Sequence, residues 1–193
     1  MSSLAAIGRK IFGKRLYVGL AIALVGMEVL VPRPWWQAPH IPGQLFGMAL
    51  IGLGLALRAW GSGCAGSHTR MATIEAPRLV TGGPFAYVRN PIYLGSIVLG
   101  VGMSCLIGDP LAYALTTGAF CLLYFGIIPA EEEHLAKTFG PAFARYRGEV
   151  PGLIPRFRPW PGSGETPFRW PAARGELRIG ALLVVIYLGL QSI

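Results

Sequence analysis

The chain has 193 residues, 53% of them hydrophobic and 13% charged, with 27 glycines. That is far too apolar for an ordinary soluble domain of this length and reads as a polytopic membrane protein. A net charge of +8 raises nucleic acid as a partner, but the placement of the cations excludes it, and three widely spaced cysteines give neither a disulfide framework nor a zinc site.

Five apolar runs, over 16–31, 45–57, 93–107, 111–128 and 179–193, each approach the roughly 20 residues that cross hydrocarbon. Arg9, Lys10, Lys14 and Arg15 precede the first run like the start of a secretory signal, but no small-x-small cleavage site follows, so the run reads as a retained helix. Glu28, near its outer end, is given no role. Trp35, Trp36, Trp60 and Trp160 lie near the ends of runs, as interfacial aromatics do. With the N-terminus in the cytoplasm, only Arg33 of the 17 Lys and Arg residues faces out. That asymmetry is the positive-inside rule, and attraction to anionic headgroups is secondary to it.

The second run is followed by a polar stretch, Gly61 to Asn90. It contains Gly61-Ser62-Gly63-Cys64-Ala65-Gly66, a formal G-x-G-x-x-G, but the stretch follows an apolar helix rather than the strand a dinucleotide site needs. The third and fourth runs are separated by Ile107-Gly108-Asp109-Pro110, a turn that makes them a tight hairpin. Gly95, Ser96, Gly100 and Gly102 let helix backbones approach closely. Beyond Glu131 a helix leaves the membrane, and His134, three residues later, is a solvated histidine because no second E-x-x-H exists to make a di-iron site. Residues 157–178 alternate proline with Arg, Phe and Trp and read as a segment lying on the membrane surface. The last run spans or dips into the bilayer.

Chemistry gathers at the ends of the hairpin. Arg89-Asn90-Pro91-Ile92-Tyr93-Leu94-Gly95 opens it and Glu131-Glu132-Glu133 closes it, so folding brings a cation and carboxylates to one lipid–water boundary. Ionisable groups there pair with one another or serve a ligand. With Gly82-Gly83-Pro84-Phe85-Ala86-Tyr87-Val88 upstream and Phe139-Gly140, Tyr146 and Val150-Pro151 downstream, residues 58–156 resemble the isoprenylcysteine carboxyl methyltransferase and phospholipid N-methyltransferase superfamily of integral membrane enzymes. Asn90 stands where that superfamily usually carries histidine. An amide hydrogen-bonds but does not titrate near neutrality.

The resemblance implies an all-α fold with about five transmembrane helices and a cofactor site on the cytosolic face. It implies S-adenosylmethionine as cofactor, a lipophilic small-molecule acceptor, and neither metal nor nucleic acid as partner. By the same resemblance Arg89, Asn90 and Tyr93 take catalytic positions. Tyr87, Val88, Arg89, Asn90, Pro91, Tyr93, Leu94, Gly95, Glu131 and Glu132 line the cofactor site. One of the two glutamates meets the cofactor ammonium and the other pairs with Arg89, while Glu133 lies outside. Arg145, Arg147 and Arg156 are candidates for the substrate side. The rival readings are a sterol-type reductase using NADPH and a non-enzymatic membrane scaffold that keeps the fold.

Overall fold

The computed structural model describes residues 41–66, 78–108, 110–176, 178 and 180. The first apolar run, Glu28, Trp35 and Trp36, most of the fifth run and Asp109 lie outside them. All regular structure among the described residues is helical. Helix α1 (Ile41–Ala65) leads through a short 3-10 turn (Gly83–Ala86) to α2 (Pro91–Ile107). Helix α3 (Pro110–Leu122), a π-helical turn (Leu123–Ile127) and α4 (Ile128–Phe139) follow end to end, then α5 (Pro141–Glu149) and, after an irregular stretch, a helical segment α6 over 170–176.

Helix α1, 25 residues and about 37 Å long at about 1.5 Å per residue, is long and apolar enough to cross a membrane. So is the continuous helix Ala112–Phe139. Little of either helix is buried inside the fold, which leaves most of that apolar surface uncovered by the described residues. Helix α2 is apolar but has 17 residues.

Sequence punctuation explains the breaks. Pro91 and Pro110 each start a helix, where a missing N–H costs nothing. Gly108 closes α2 at φ 70°, its amide bonding Ser104 O at 2.8 Å, a left-handed cap that glycine adopts without strain. The α2–α3 hairpin is then clasped by the buried Ser104 hydroxyl, which is 3.2 Å from Ala112 O and 2.7 Å from Thr116 Oγ1.

Helices α1 and α2 cross with almost no side chain between them. A Cβ on Gly95 would lie 2.7 Å from Gly54 O and from Arg58 Cγ, and one on Gly102 would lie 2.7 Å from Gly47 O. Small residues at a helix interface permit such close backbone packing. Leu99 and Met103 fill the adjacent core with Ile51, Leu55 and Leu106. Gly95→Ala is therefore expected to destabilise the chain by about 1–3 kcal/mol through overpacking. Gly118→Ala, whose Cβ meets nothing within 4 Å, should instead gain up to about 1 kcal/mol of helix propensity. Thermal melts in detergent check the pair.

Two sequence expectations are corrected. The stretch from Gly61 is not yet polar loop, because α1 continues to Ala65. Tertiary contacts extend it: Ile92 and Phe168 pack where Cβ atoms of Gly61 and Gly63 would be, and Ser62 hydrogen-bonds Glu176. Trp160 is not an interfacial ring. It is 8% exposed and packs with Phe143, Tyr146 and Val150 in a second core that also takes in Leu79, Leu135 and Phe139, because the chain after α5 turns back and carries it inward.

Candidate active site

That returning chain builds the site. Its backbone runs beside the segment before α2: Arg89 N donates to Pro151 O at 2.9 Å, Asn90 N to Gly152 O at 3.2 Å, Arg156 N to Tyr87 O at 2.9 Å and Trp160 N to Ala86 O at 2.9 Å. From α5 the Tyr146 hydroxyl donates to Phe85 O at 2.8 Å. Burial pushes that hydroxyl above its ordinary range, so it remains a donor throughout physiological pH.

Arg89 enters the frame these bonds make. Its Nε donates to Glu132 Oε1 at 2.8 Å, and its Nη1 donates to Arg147 O at 2.9 Å and to Val150 O. Arg147 Nε approaches the other oxygen, Glu132 Oε2, at 3.4 Å. The buried Glu132 carboxylate thus lies between two guanidinium groups, a fork geometry that a lysine ammonium does not reproduce. Asn90 caps α2 and turns its side chain outward, Nδ2 donating to Gly152 O at 3.1 Å. The Tyr93 hydroxyl donates to Glu131 Oε2 at 2.9 Å. Glu133 is exposed and pairs with Lys137 one turn on.

Beside this cluster lies a cleft of about 780 Å³, within the range of small-molecule sites. Its polar lining is Arg89, Asn90, Glu132, Glu133 and Arg147. Its apolar lining includes Tyr124 and Phe125 from the π-helical turn, Ile128, and Leu153 and Ile154 from the returning chain. An inserted π turn rotates the residues after it relative to a regular helix, and such turns recur at functional sites.

Arg89, Asn90, Glu132 and Arg147 thus come together at the cleft. Tyr93 and Glu131 pair with each other beside it. Glu133, which the sequence pattern left out, lines it. Tyr87 faces α1, its ring 6.3 Å from that of Trp60. Val88 and Pro91 are buried, Leu94 is half-buried, and Gly95 packs against α1. Arg145 is exposed on α5, and Arg156 Nη1 donates to Glu149 O at 3.0 Å. Among the described residues no three His, Cys, Asp or Glu side chains gather to hold a metal.

A buried network that sequence reasoning missed lies behind the site. Arg58 of α1 donates through Nε to Glu176 Oε2 of α6 at 2.8 Å, each side chain 5% exposed. Ser62 Oγ donates to Glu176 Oε1 at 2.9 Å, and Arg58 Nη1 donates to Ser96 Oγ of α2. The one local signal was Arg58 itself, a cation inside an apolar helix. Its partner is 118 positions away, and no local periodicity connects them.

The phospholipid methyltransferase family model matches residues 43–142, slightly more than half of the chain. The chain belongs to that family. The match runs from the start of α1 through the Arg89–Gly95 and Glu131–Glu133 motifs to the start of α5. Among individual proteins, the chain is 27% identical to the cobalt-zinc-cadmium resistance protein CzcN of Cupriavidus metallidurans, over 71% of this chain and 61% of that protein. It is 31% identical to protein-S-isoprenylcysteine O-methyltransferase B of Arabidopsis thaliana, over 63% and 60%, and 35% identical to the protein-S-isoprenylcysteine O-methyltransferase of Schizosaccharomyces pombe, over 40% and 33%. The chain spans less than two thirds of the length of each of these relatives. No solved structure matches it.

Proposed function

We propose that the chain is an integral membrane methyltransferase that transfers the methyl group of S-adenosylmethionine to a lipophilic acceptor partitioned in the bilayer. The observation that carries this reading is the cleft whose lining combines an ion pair built from both family motifs with exposed aromatic and aliphatic side chains. Two relatives are named as O-methyltransferases of isoprenylcysteine, in keeping with a membrane-associated acceptor. The topology that goes with it has five spans, an N-terminus in the cytoplasm and the site on the cytoplasmic face, a reading supported by the distribution of cations.

The residues present fit the cofactor. Arg147, 59% exposed at the cleft, would meet the carboxylate of its amino-acid end. Glu132 and Glu133 would meet its ammonium, and the Tyr124 and Phe125 rings offer faces to a cation or to adenine. When bound, S-adenosylmethionine supplies a methyl already electrophilic on sulfonium sulfur, so the chain's task is alignment and exclusion of water. Arg89 holds Glu132 in place and ties α4 to the returning chain. Asn90 fixes the Gly152 carbonyl and hence the position of Leu153 and Ile154. Tyr93 and Glu131 steady the same end of α4 from α2. The acceptor's chain lies along the apolar lining, with its nucleophilic atom directed to the polar one.

Calorimetric titration of the detergent-purified chain tests the reading: S-adenosylmethionine binds and NADPH does not. Binding of NADPH alone would favour a reductase, and binding of neither a scaffold. Glu132→Gln and Glu133→Gln are each expected to weaken cofactor binding by about 1.5–3 kcal/mol, the range for hydrogen bonds to charged groups. Glu131→Leu and Tyr93→Phe break one bond from its two ends, so their effects should be similar and the double variant no worse than either. Asn90→His should keep cofactor binding, whereas Asn90→Leu, unable to bond Gly152 O through its side chain, should impair it by about 1 kcal/mol.

A further inference from the structure

The loop that forms one side of the cleft carries exposed apolar side chains that no part of the described fold covers. Ile154 is 80% exposed and Phe157 is 105% exposed. The loop is not loose. Gly152 O accepts from both Asn90 N and Asn90 Nδ2, and Arg156 N donates to Tyr87 O, so residues 153–155 project from two fixed shoulders between Pro151 and Arg156. Cations flank the tip: Arg156 and Arg158 lie in the loop itself, Arg156 Nη1 donating to Glu149 O at 3.0 Å, and Arg147 of α5 lines the same cleft.

The depth of the loop follows from the cleft. Leu153 and Ile154 share it with Tyr124, Phe125, Ile128 and Pro129, residues of the apolar stretch that precedes Glu131 in the membrane-length helix Ala112–Phe139. A loop that faces this part of the helix lies at the edge of the hydrocarbon, not above it in water. Apolar tips flanked by arginine are the side-chain pattern that lies in the interface of an anionic bilayer, with rings among acyl chains and guanidinium groups among headgroups.

We infer that the loop over 152–158 is a membrane-inserting wedge, with Ile154 and Phe157 in the acyl region and Arg156 and Arg158 on anionic lipid headgroups. The inference rests on the membrane reading above and adds to it a surface specific for anionic lipid.

Spin labels on the full chain test this, in a background with Cys64, Cys105 and Cys121 replaced by alanine. Single cysteines are placed by Ile154→Cys, Phe157→Cys, Gly118→Cys in α3 and Lys137→Cys near the end of α4, and the chain is reconstituted in phosphatidylcholine vesicles with or without phosphatidylglycerol. Collision rates with oxygen, which concentrates in lipid, and with a water-soluble nickel chelate are compared. At positions 154 and 157 the oxygen-to-nickel ratio should approach that at 118 and exceed that at 137 several-fold. Phosphatidylglycerol should raise it further at 157, and Arg156→Gln with Arg158→Gln should abolish that rise. A lipid-like ratio at 118 with a water-like ratio at 154 and 157 overturns the wedge and leaves the spanning helices intact, whereas a water-like ratio at 118 overturns the membrane reading itself. Insertion at 157 that ignores phosphatidylglycerol overturns the role given to the two arginines.

Discussion

Arg89→Lys is expected to yield a chain that inserts in the membrane at normal levels and loses at least tenfold in S-adenosylmethionine affinity or methyl transfer. Lysine keeps the positive charge on which orientation depends, so insertion is preserved. It loses the planar fork. Arg89 donates at once to Glu132 Oε1, Arg147 O and Val150 O, directions that diverge across a guanidinium. A compact ammonium on a flexible stem holds fewer of them together. Loss of even one hydrogen bond involving a charged group is worth about 1.5–3 kcal/mol, where about 1.4 kcal/mol is tenfold. Glu132 would be left facing Arg147 alone at 3.4 Å, and α4 would lose its tie to the chain that carries Gly152 and Leu153. Labelling of the inserted fraction and cofactor titration on one preparation separate the two effects. Normal affinity and activity in Arg89→Lys would reduce Arg89 to a topological anchor.

Glu176→Gln and Arg58→Met should each destabilise the chain by about 3–5 kcal/mol, since each removes one half of a buried ion pair. Arg58 and Glu176 are each 5% exposed at the side chain, so water cannot replace the missing partner. Ser62 and Ser96 soften the loss and do not remove it, because a hydroxyl hydrogen bond stabilises a charge less than an opposite charge does. The double variant Arg58→Met with Glu176→Leu removes both charges and should recover much of the stability, which makes the cycle strongly non-additive. Thermal unfolding in detergent gives all four corners. Additive losses would mean that the two side chains act independently, and α6 would then be held by Phe168 and its neighbours rather than by the ion pair.

The two predictions mark different depths of legibility. Arg89, Glu131 and Glu132 stand out in the sequence because charge at the end of an apolar run is costly and rare, so each announces itself locally. Helix starts and stops are equally local: Pro91, Pro110 and Gly108 act through φ and a missing N–H, and the structure breaks its helices at them. The glycines along α2 were legible as sites of close approach, although which of them meets α1 and which meets α3 was not: Gly95 and Gly102 meet α1, and Gly100 meets Thr116 and Phe120 of α3.

Other features depend on what arrives from far along the chain. Trp160 reads as interfacial from its neighbours and is core because a reversal after α5 brings it against Tyr146 at a ring distance of 5.6 Å. Which glutamate pairs with Arg89 is a matter of about 100° of rotation per residue around α4, and only the packed helix selects Glu132, gives Glu131 to Tyr93 and turns Glu133 to the cleft.

The sequence by itself determined a helical, apolar hairpin with a family motif at each end, because apolar run length, proline, glycine and charge act within a few residues of where they stand. Tertiary structure alone decided the cleft, the pairing order of the glutamates and the buried Arg58–Glu176 pair. Each of these joins groups some 40 to 120 positions apart, and contacts at that separation are set by how helices rotate and cross, which no local pattern encodes.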